Sequence, residues 1–257
     1  MKLCRTYVEK PWGTTQLPSI FDAPEGRRIG EVHFTNGADL PLLAKYIFTC
    51  ERLSIQVHPD DEQAKARGLP KGKSECWYIV DAEPNSTIAL GLKHGLSPEE
   101  LRAAALDGSI EGLVDWRHVR AGDFYFVPAG TIHAIGGGLS LIEFQQNSDV
   151  TYRLYDYGRP RELHIDAAVS VANLTPRPEG LALRLAPDEQ RTLVDGPPFT
   201  VVLSDRDSLQ DRQRWVIPLE GKVKSASDVA IPGEVLVLAA GERLDCDGTR
   251  LLIGAVS

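Results

Sequence analysis

Along the chain the apolar residues fall into many short runs bounded by glycine, proline and charged side chains. Residues 42–48 and 53–58 are aliphatic and β-branched enough to predict strands, and the same holds for 76–80, 124–127 and 139–144. Strands in close succession, without a helix after each, predict an antiparallel barrel or sandwich. Two segments carry helix signals instead. Residues 59–67 begin with acidic side chains and stop at Gly68, which suits both ends of a helix dipole. The second helix has Ser97 as its cap, Pro98 at the first helical position, Glu100 to complete a capping box, and Gly108 just beyond residues 101–106.

The proline- and glycine-rich stretch 174–180 predicts a boundary, dividing residues 1–175 from 176–257. Beyond it, residues 199–203, 215–219 and 234–238 read as strands of a smaller β-domain. The last histidine of the chain is His164, so this second unit offers no imidazole and is expected to be structural support.

Composition narrows the class. With 257 residues, 42% hydrophobic and 25% charged, the chain has the make-up of an ordinary globular protein. Its net charge of -8 gives nucleic-acid binding no electrostatic support. An acidic chain that handles an anionic substrate has to gather lysine and arginine locally. The N-terminal residues lack the apolar core of a secretory signal, and no run approaches the roughly 20 apolar residues of a membrane span. Cys4, Cys50, Cys76 and Cys246 are scattered, as reduced thiols of a cytoplasmic protein would be.

Candidate chemistry concentrates in the first unit. Gln56 and His58 lie two apart in a predicted strand, so both side chains leave by one face, which Ser54 shares. Glu75 opens another strand, and His133 follows the turn Pro128-Ala129-Gly130-Thr131-Ile132. Two imidazoles, a carboxylate and an amide oxygen suit zinc, manganese or iron, and neutral imidazole with carboxylate is typical of catalytic zinc. His33, His94, His118 and His164 have no such company and read as hydrogen-bonded core or surface residues.

Gly122, five residues, then Pro128-x-Gly130-x-x-His133 resembles the second cupin motif, in which a tight turn delivers a histidine into a barrel. The first cupin motif normally sets His-x-His close before a glutamate; this chain has Gln56-Val57-His58 and a helical insertion before Glu75. In that departure it resembles the type I (cupin) mannose-6-phosphate isomerases in their short bacterial form. The resemblance runs from about residue 11 to residue 173. Trp12-Gly13, Gly30-Glu31, residues 53–61, Gly72-Lys73-Ser74-Glu75-Cys76-Trp77-Tyr78, residues 127–135 and residues 143–157 carry it.

The resemblance implies a mainly β chain: a cupin (jelly-roll) β-barrel with helical insertions, followed by a smaller, degenerate cupin-like β-domain. It implies one zinc ion per chain, held by Gln56, His58, Glu75 and His133, with Arg153 and Lys73 as catalytic residues. The substrate would be a sugar phosphate, mannose 6-phosphate and fructose 6-phosphate being interconverted through an enediolate. Lys45, Arg159 and Arg161 flank the site as candidate cations for the phosphate, an inward-facing Lys45 lying beside Ser54. A non-catalytic sugar-phosphate-binding cupin is the competing expectation. An iron oxygenase is disfavoured, because Gln56 stands where redox iron would want histidine. Residues 32–40 are fewer than the family usually has there, so one wall or lid of the pocket is expected to differ.

Overall fold

The computed structural model describes residues 1–176, 180–186, 188–246 and 248–257. The chain opens with β1 (Cys4–Thr14), β2 (Ile29–Thr35), β3 (Leu42–Thr49) and β4 (Ile55–Val57), then the short helix α1 (Asp61–Lys65). β5 (Glu75–Ala82) and β6 (Thr87–Leu92) lead into α2 (Pro98–Asp107) and α3 (Ile110–Leu113). After β7 (Val114–His118), β8 (Asp123–Val127), β9 (His133–Ile135), β10 (Leu139–Gln146) and β11 (Tyr152–Tyr155) comes α4 (Ile165–Val171). The remainder comprises β12 (Ala182–Arg184), β13 (Arg191–Val194), β14 (Phe199–Ser204), β15 (Arg214–Pro218), β16 (Val223–Lys224), β17 (Val229–Ala230), β18 (Leu236–Leu238) and β19 (Leu251–Val256).

These elements stack in four layers around one shared sheet. A seven-stranded sheet has the order β1-β2-β3-β10-β5-β8-β12, and a five-stranded sheet the order β11-β4-β9-β6-β7. Between them Ile47, Trp77, Ile79 and Leu141 meet Ile88, Leu90 and Ile135 in the interior of the barrel. On the far side of the five-stranded sheet, Ile55, Val57, Ala134 and Leu154 pack beneath the helices, against Leu101, Ala104, Ile110, Ala168 and Val171. The far side of the seven-stranded sheet is covered by a third sheet, β13-β14-β19-β15-β18. There Tyr46, Phe48, Ile142 and Phe144 join Phe199, Val201, Trp215 and Leu252 in one buried cluster. Burying Phe144 and Phe199 at this junction contributes about 1.5–3 kcal/mol each.

This layering explains the sequence pattern. β3 is buried at all eight positions, so its run shows no polar alternation. β1 escapes recognition for the opposite reason. As an edge strand it carries Arg5, Glu9, Lys10 and Pro11, residues that blunt an exposed edge.

The helix signals at residues 97–108 are borne out: Ser97 and Glu100 form a reciprocal capping box, and Gly108 ends the helix with φ 82. Such a cap is worth about 1 kcal/mol. α1 is shorter than residues 59–67 and takes Asp60 as its cap, with Gln63 reaching back. β4 covers only three of the residues expected in that strand, and α3 and α4 carry weaker sequence signals and were not expected. The expected boundary stretch, residues 174–180, lies partly outside the described residues, and β12 beyond it pairs with β8 of the seven-stranded sheet. Among the described residues, no helix is long and apolar enough to cross a membrane.

Candidate metal centre and active site

The two inner sheet faces supply opposite walls of one cavity. In β4, Ile55 and Val57 turn toward the helices, so Gln56 between them faces inward. Backbone register sets Gln56 opposite His133 on β9 and opposite Arg153 on β11. The facing wall presents Glu75 from β5, Lys45 from β3 and Glu143 from β10, with Glu143 in register with Lys45 on one side and Trp77 on the other.

Two glycines bring the remaining parts close. Gly130 adopts φ +83 and donates its N–H to the His58 carbonyl at 2.8 Å, tying the His133 turn to the end of β4. A Cβ at Gly72 would lie 2.4 Å from the carbonyl carbon of Asp60, so only glycine lets the segment leading to Lys73 and Glu75 lie against the backbone just after His58. The Lys73 N–H then donates to the Pro59 carbonyl at 3.0 Å.

The result is a tight group of ligating atoms. One atom each from His58, Glu75 and His133 lies within 4.8 Å of the others, and all three residues are buried. Glu75 Oε2 is 3.4 Å from His58 Nε2 and Glu75 Oε1 is 3.2 Å from His133 Nε2. Gln56 Nε2 lies 3.2 Å from His133 Nε2, and the Gln56 Oε1 accepts from the Ser54 hydroxyl at 3.1 Å. His133 Nδ1 donates to the Thr131 carbonyl at 2.8 Å, which fixes the ring and leaves Nε2 as the acceptor that faces the Gln56 amide and the group. Both ring nitrogens of His58 and the Oε2 of Glu75 are buried without a hydrogen-bond partner.

Such orphaned atoms are costly unless something else satisfies them. A divalent cation fits. The donor set of two imidazoles and one carboxylate, with an amide at its edge, is of the kind that holds zinc. The electrostatics agree. Burial, with Lys73 nearby, pulls the His58 imidazole down to about 3, so it stays neutral and available as a ligand. Burial also lowers His133, although Glu75 pulls the other way. Burial alone would raise the Glu75 carboxyl, but Lys73, His133 and His58 outweigh it and hold it well below the usual range.

The half-open cavity beside this group has a volume of about 80 Å³. Its lining includes five basic residues, Lys10, Lys45, Lys73, Arg153 and Arg161, against three acidic ones, Glu31, Glu75 and Glu143. A chain with net charge -8 has thus collected cations at one spot. Lys45 faces the interior and pairs with Glu143 at 2.8 Å, while Lys73 pairs with Glu75 at 3.3 Å. Ser54 also lines the cavity. Arg159 is not brought there: Asp156, Glu51 and the Arg52 carbonyl hold its guanidinium, and Arg161 takes the lining position.

Sequence reasoning missed Lys10, Glu31 and Glu143 as cavity residues. Glu143 shares its parity on β10 with Leu139 and Leu141, but the polar residues on both faces of that strand hide which one points inward. Burial and the neighbouring Glu75 push its carboxyl above the usual range, and Lys45 offsets only part of that. Lys10 and Glu31 pair at 3.3 Å across β1 and β2, strands whose inward positions are not evident from the sequence.

The comparisons with known proteins point the same way. The chain is 42% identical over 173 residues to a mannose-6-phosphate isomerase of Streptococcus mutans, an alignment covering 63% of this chain and 53% of that protein. It is also 42% identical over 150 residues to the mannose-6-phosphate isomerase ManA of Bacillus subtilis, covering 56% of this chain and 47% of the relative. The chain is similar to mannose-6-phosphate isomerases. It spans about half the length of the curated relatives it matches. A crystal structure of the Bacillus subtilis mannose 6-phosphate isomerase superposes with a TM-score of 0.82 at 28% identity, covering 99% of each chain. A structure of a putative mannosephosphate isomerase from Archaeoglobus fulgidus, at 15% identity and TM-score 0.78, covers 100% of this chain and 97% of that one and shares the fold. No family model matches the chain. The mainly β cupin architecture expected from the sequence is borne out.

Proposed function

We propose that the protein is a zinc-dependent aldose–ketose isomerase that interconverts mannose 6-phosphate and fructose 6-phosphate through an enediolate. One observation carries this reading: the buried His58–Glu75–His133 group, with its unsatisfied nitrogens and oxygen, opens on a cavity lined by an excess of cations. Similarity to mannose-6-phosphate isomerases supports the substrate. All cavity-lining residues fall between Lys10 and Arg161, so the chemistry is assigned to residues 1–175 and residues 176–257 act as support. The compartment proposed is the cytoplasm, in keeping with four free cysteines.

Gln56, His58, Glu75 and His133 would hold the zinc, which when bound supplies Lewis-acid stabilisation of negative charge developing on the sugar oxygens. The protein's own groups do the rest. Arg153 lines the cavity from the same register row as Gln56 and His133, and its guanidinium offers fixed donors to an oxygen that gains charge. Lys73, held at 3.3 Å by Glu75, orients a substrate oxygen beside the ligand group. Lys45 and Ser54 hydrogen-bond the sugar hydroxyls along the same wall. Glu143 carries the proton between C2 and C1, since a carboxyl held above its usual range gives and takes a proton more readily near neutral pH.

A coupled assay of the purified protein with mannose 6-phosphate, before and after chelation, tests the reading. Turnover is expected to stop on metal removal and return with zinc. Undiminished turnover in demonstrably metal-free protein overturns the zinc role. Binding without any turnover in the zinc-loaded protein favours the non-catalytic sugar-phosphate cupin instead.

A further inference from the structure

The charges lining the cavity are not evenly matched. Each of its three lysines has its own carboxylate: Lys10 with Glu31 at 3.3 Å, Lys45 with Glu143 at 2.8 Å and Lys73 with Glu75 at 3.3 Å. The arginine side differs. Among the described residues Arg153 forms no ion pair, and Arg161 shares the single buried carboxylate of Asp156 with Arg159. Positive charge therefore accumulates where Arg153 and Arg161 meet. Burial and then the neighbouring Arg161 lower the Arg153 guanidinium, and Asp156 and Glu162 offset only part of that. Two like charges facing a half-enclosed space form an arrangement that an anion relieves.

The backbone fixes which arginine reaches the cavity. β11 ends at Tyr155, and the chain reverses through Asp156-Tyr157-Gly158-Arg159, with φ 55 at Tyr157, φ 76 at Gly158 and the Arg159 N–H bonded to the Asp156 carbonyl at 3.0 Å. Positive φ at both central residues is the mark of a type I′ turn. It sends Arg159 outward to Glu51 and returns Arg161 inward. Asp156, 2% exposed, then accepts from Arg161 Nε at 2.6 Å and from Nη2 at 2.7 Å. That two-point clamp fixes the plane of the guanidinium, and Nη1 donates to no protein group among the described residues.

We propose that Arg161, oriented by Asp156, grips the phosphoryl dianion of the substrate, and that Asp156 is a positioning residue. The inference rests on the sugar-phosphate reading above and assigns the anionic end to the arginine side of the cavity. The lysines are left to face the sugar oxygens, with Glu143 at the reacting carbons. The carbonyl end then lies toward His58, Glu75 and His133.

Steady-state kinetics of zinc-loaded Arg161→Ala, with titration of inorganic phosphate, tests it. KM for mannose 6-phosphate is expected to rise about ten- to a hundredfold, the range for losing a charge-assisted hydrogen bond, while kcat falls by less than about threefold. Phosphate affinity should weaken in parallel, and Arg161→Lys should recover part of both. Asp156→Asn should shift KM in the same direction with kcat kept; a lower melting temperature with unchanged KM in that variant overturns its positioning role. Unchanged KM and unchanged phosphate affinity in Arg161→Ala overturn the assignment while leaving the isomerase reading intact. Conversely, if the wild-type protein turns over no sugar phosphate yet binds phosphate through Arg161, the isomerase reading fails and the anion site stands.

Discussion

Gln56 and His133 are 77 residues apart in sequence, yet they are register partners across β4 and β9, with their Nε2 atoms 3.2 Å apart. Two members of the ligand group are therefore set by backbone pairing between strands, with the His133 ring further locked by its bond to Thr131. A site carried on paired strands varies less in geometry than one carried on loops.

Metal content is expected to follow the individual ligands. His133→Ala and Glu75→Gln should each lose the zinc after dialysis, read by elemental analysis, because each removes one of three buried donors. Gln56→Ala should weaken zinc less, since the amide donates no charge. Retention of a full equivalent of zinc by His133→Ala would show that the ion is held elsewhere.

Substitution of Arg153 is expected to separate metal binding from turnover. Arg153→Ala should keep its zinc and its melting temperature while kcat falls by about 10²–10³, the cost of removing one donor aimed at developing charge. Normal turnover in that variant would remove Arg153 from the catalytic group.

Acid should destabilise the metal-free protein through His58. Burial disfavours the charged ring and pulls it down to about 3 in the folded protein, against an ordinary 6.5. The folded form stays neutral where the unfolded chain already takes a proton, so this contribution is fully present above 6.5 and is lost as the pH falls toward 3. The melting temperature of metal-free protein should drop across that window, and His58→Gln should show a shallower drop. Equal slopes in the two proteins would mean that other groups set the acid limit.

Gly130→Ala should cost stability directly. The position has φ +83, and an added Cβ would lie 3.2 Å from the Val171 carbonyl oxygen. Left-handed backbone costs a side-chain-bearing residue about 1–2 kcal/mol, a drop of roughly 2–8 °C in melting temperature for a chain of this size. A calorimetric scan showing no drop would mean that the turn adjusts without strain.

Much of this was legible in the sequence, for physical reasons that differ by element. The Ser97–Glu100 box and Gly108 declare α2 because caps depend on a few local side chains. The Gly122-to-His133 spacing declares the ligand turn because tight turns demand particular residues. β3 and β10 read as strands, but their inward face was hidden, since β3 is buried on both faces and β10 carries polar and apolar side chains on each. For that reason Glu143 went unrecognised and Lys45 could be placed only by its parity. The choice between Arg159 and Arg161 depends on the positive φ of Tyr157, a residue type with no preference for that conformation, so nothing local announced it.

On β10 the side chains alternate between two different cores: Ile142 and Phe144 press into the third sheet, and Glu143 between them looks into the cavity. The strand works as a lever with its two arms in separate compartments. A change of side-chain volume at Phe199 or Trp215 is expected to shift Phe144 and, through the strand, the Glu143 carboxyl. A displacement of about 1 Å can change a rate a hundredfold. On the proposed reading, the C-terminal sheet, from which no described residue lines the cavity, is a place where turnover is expected to be tunable without touching the site.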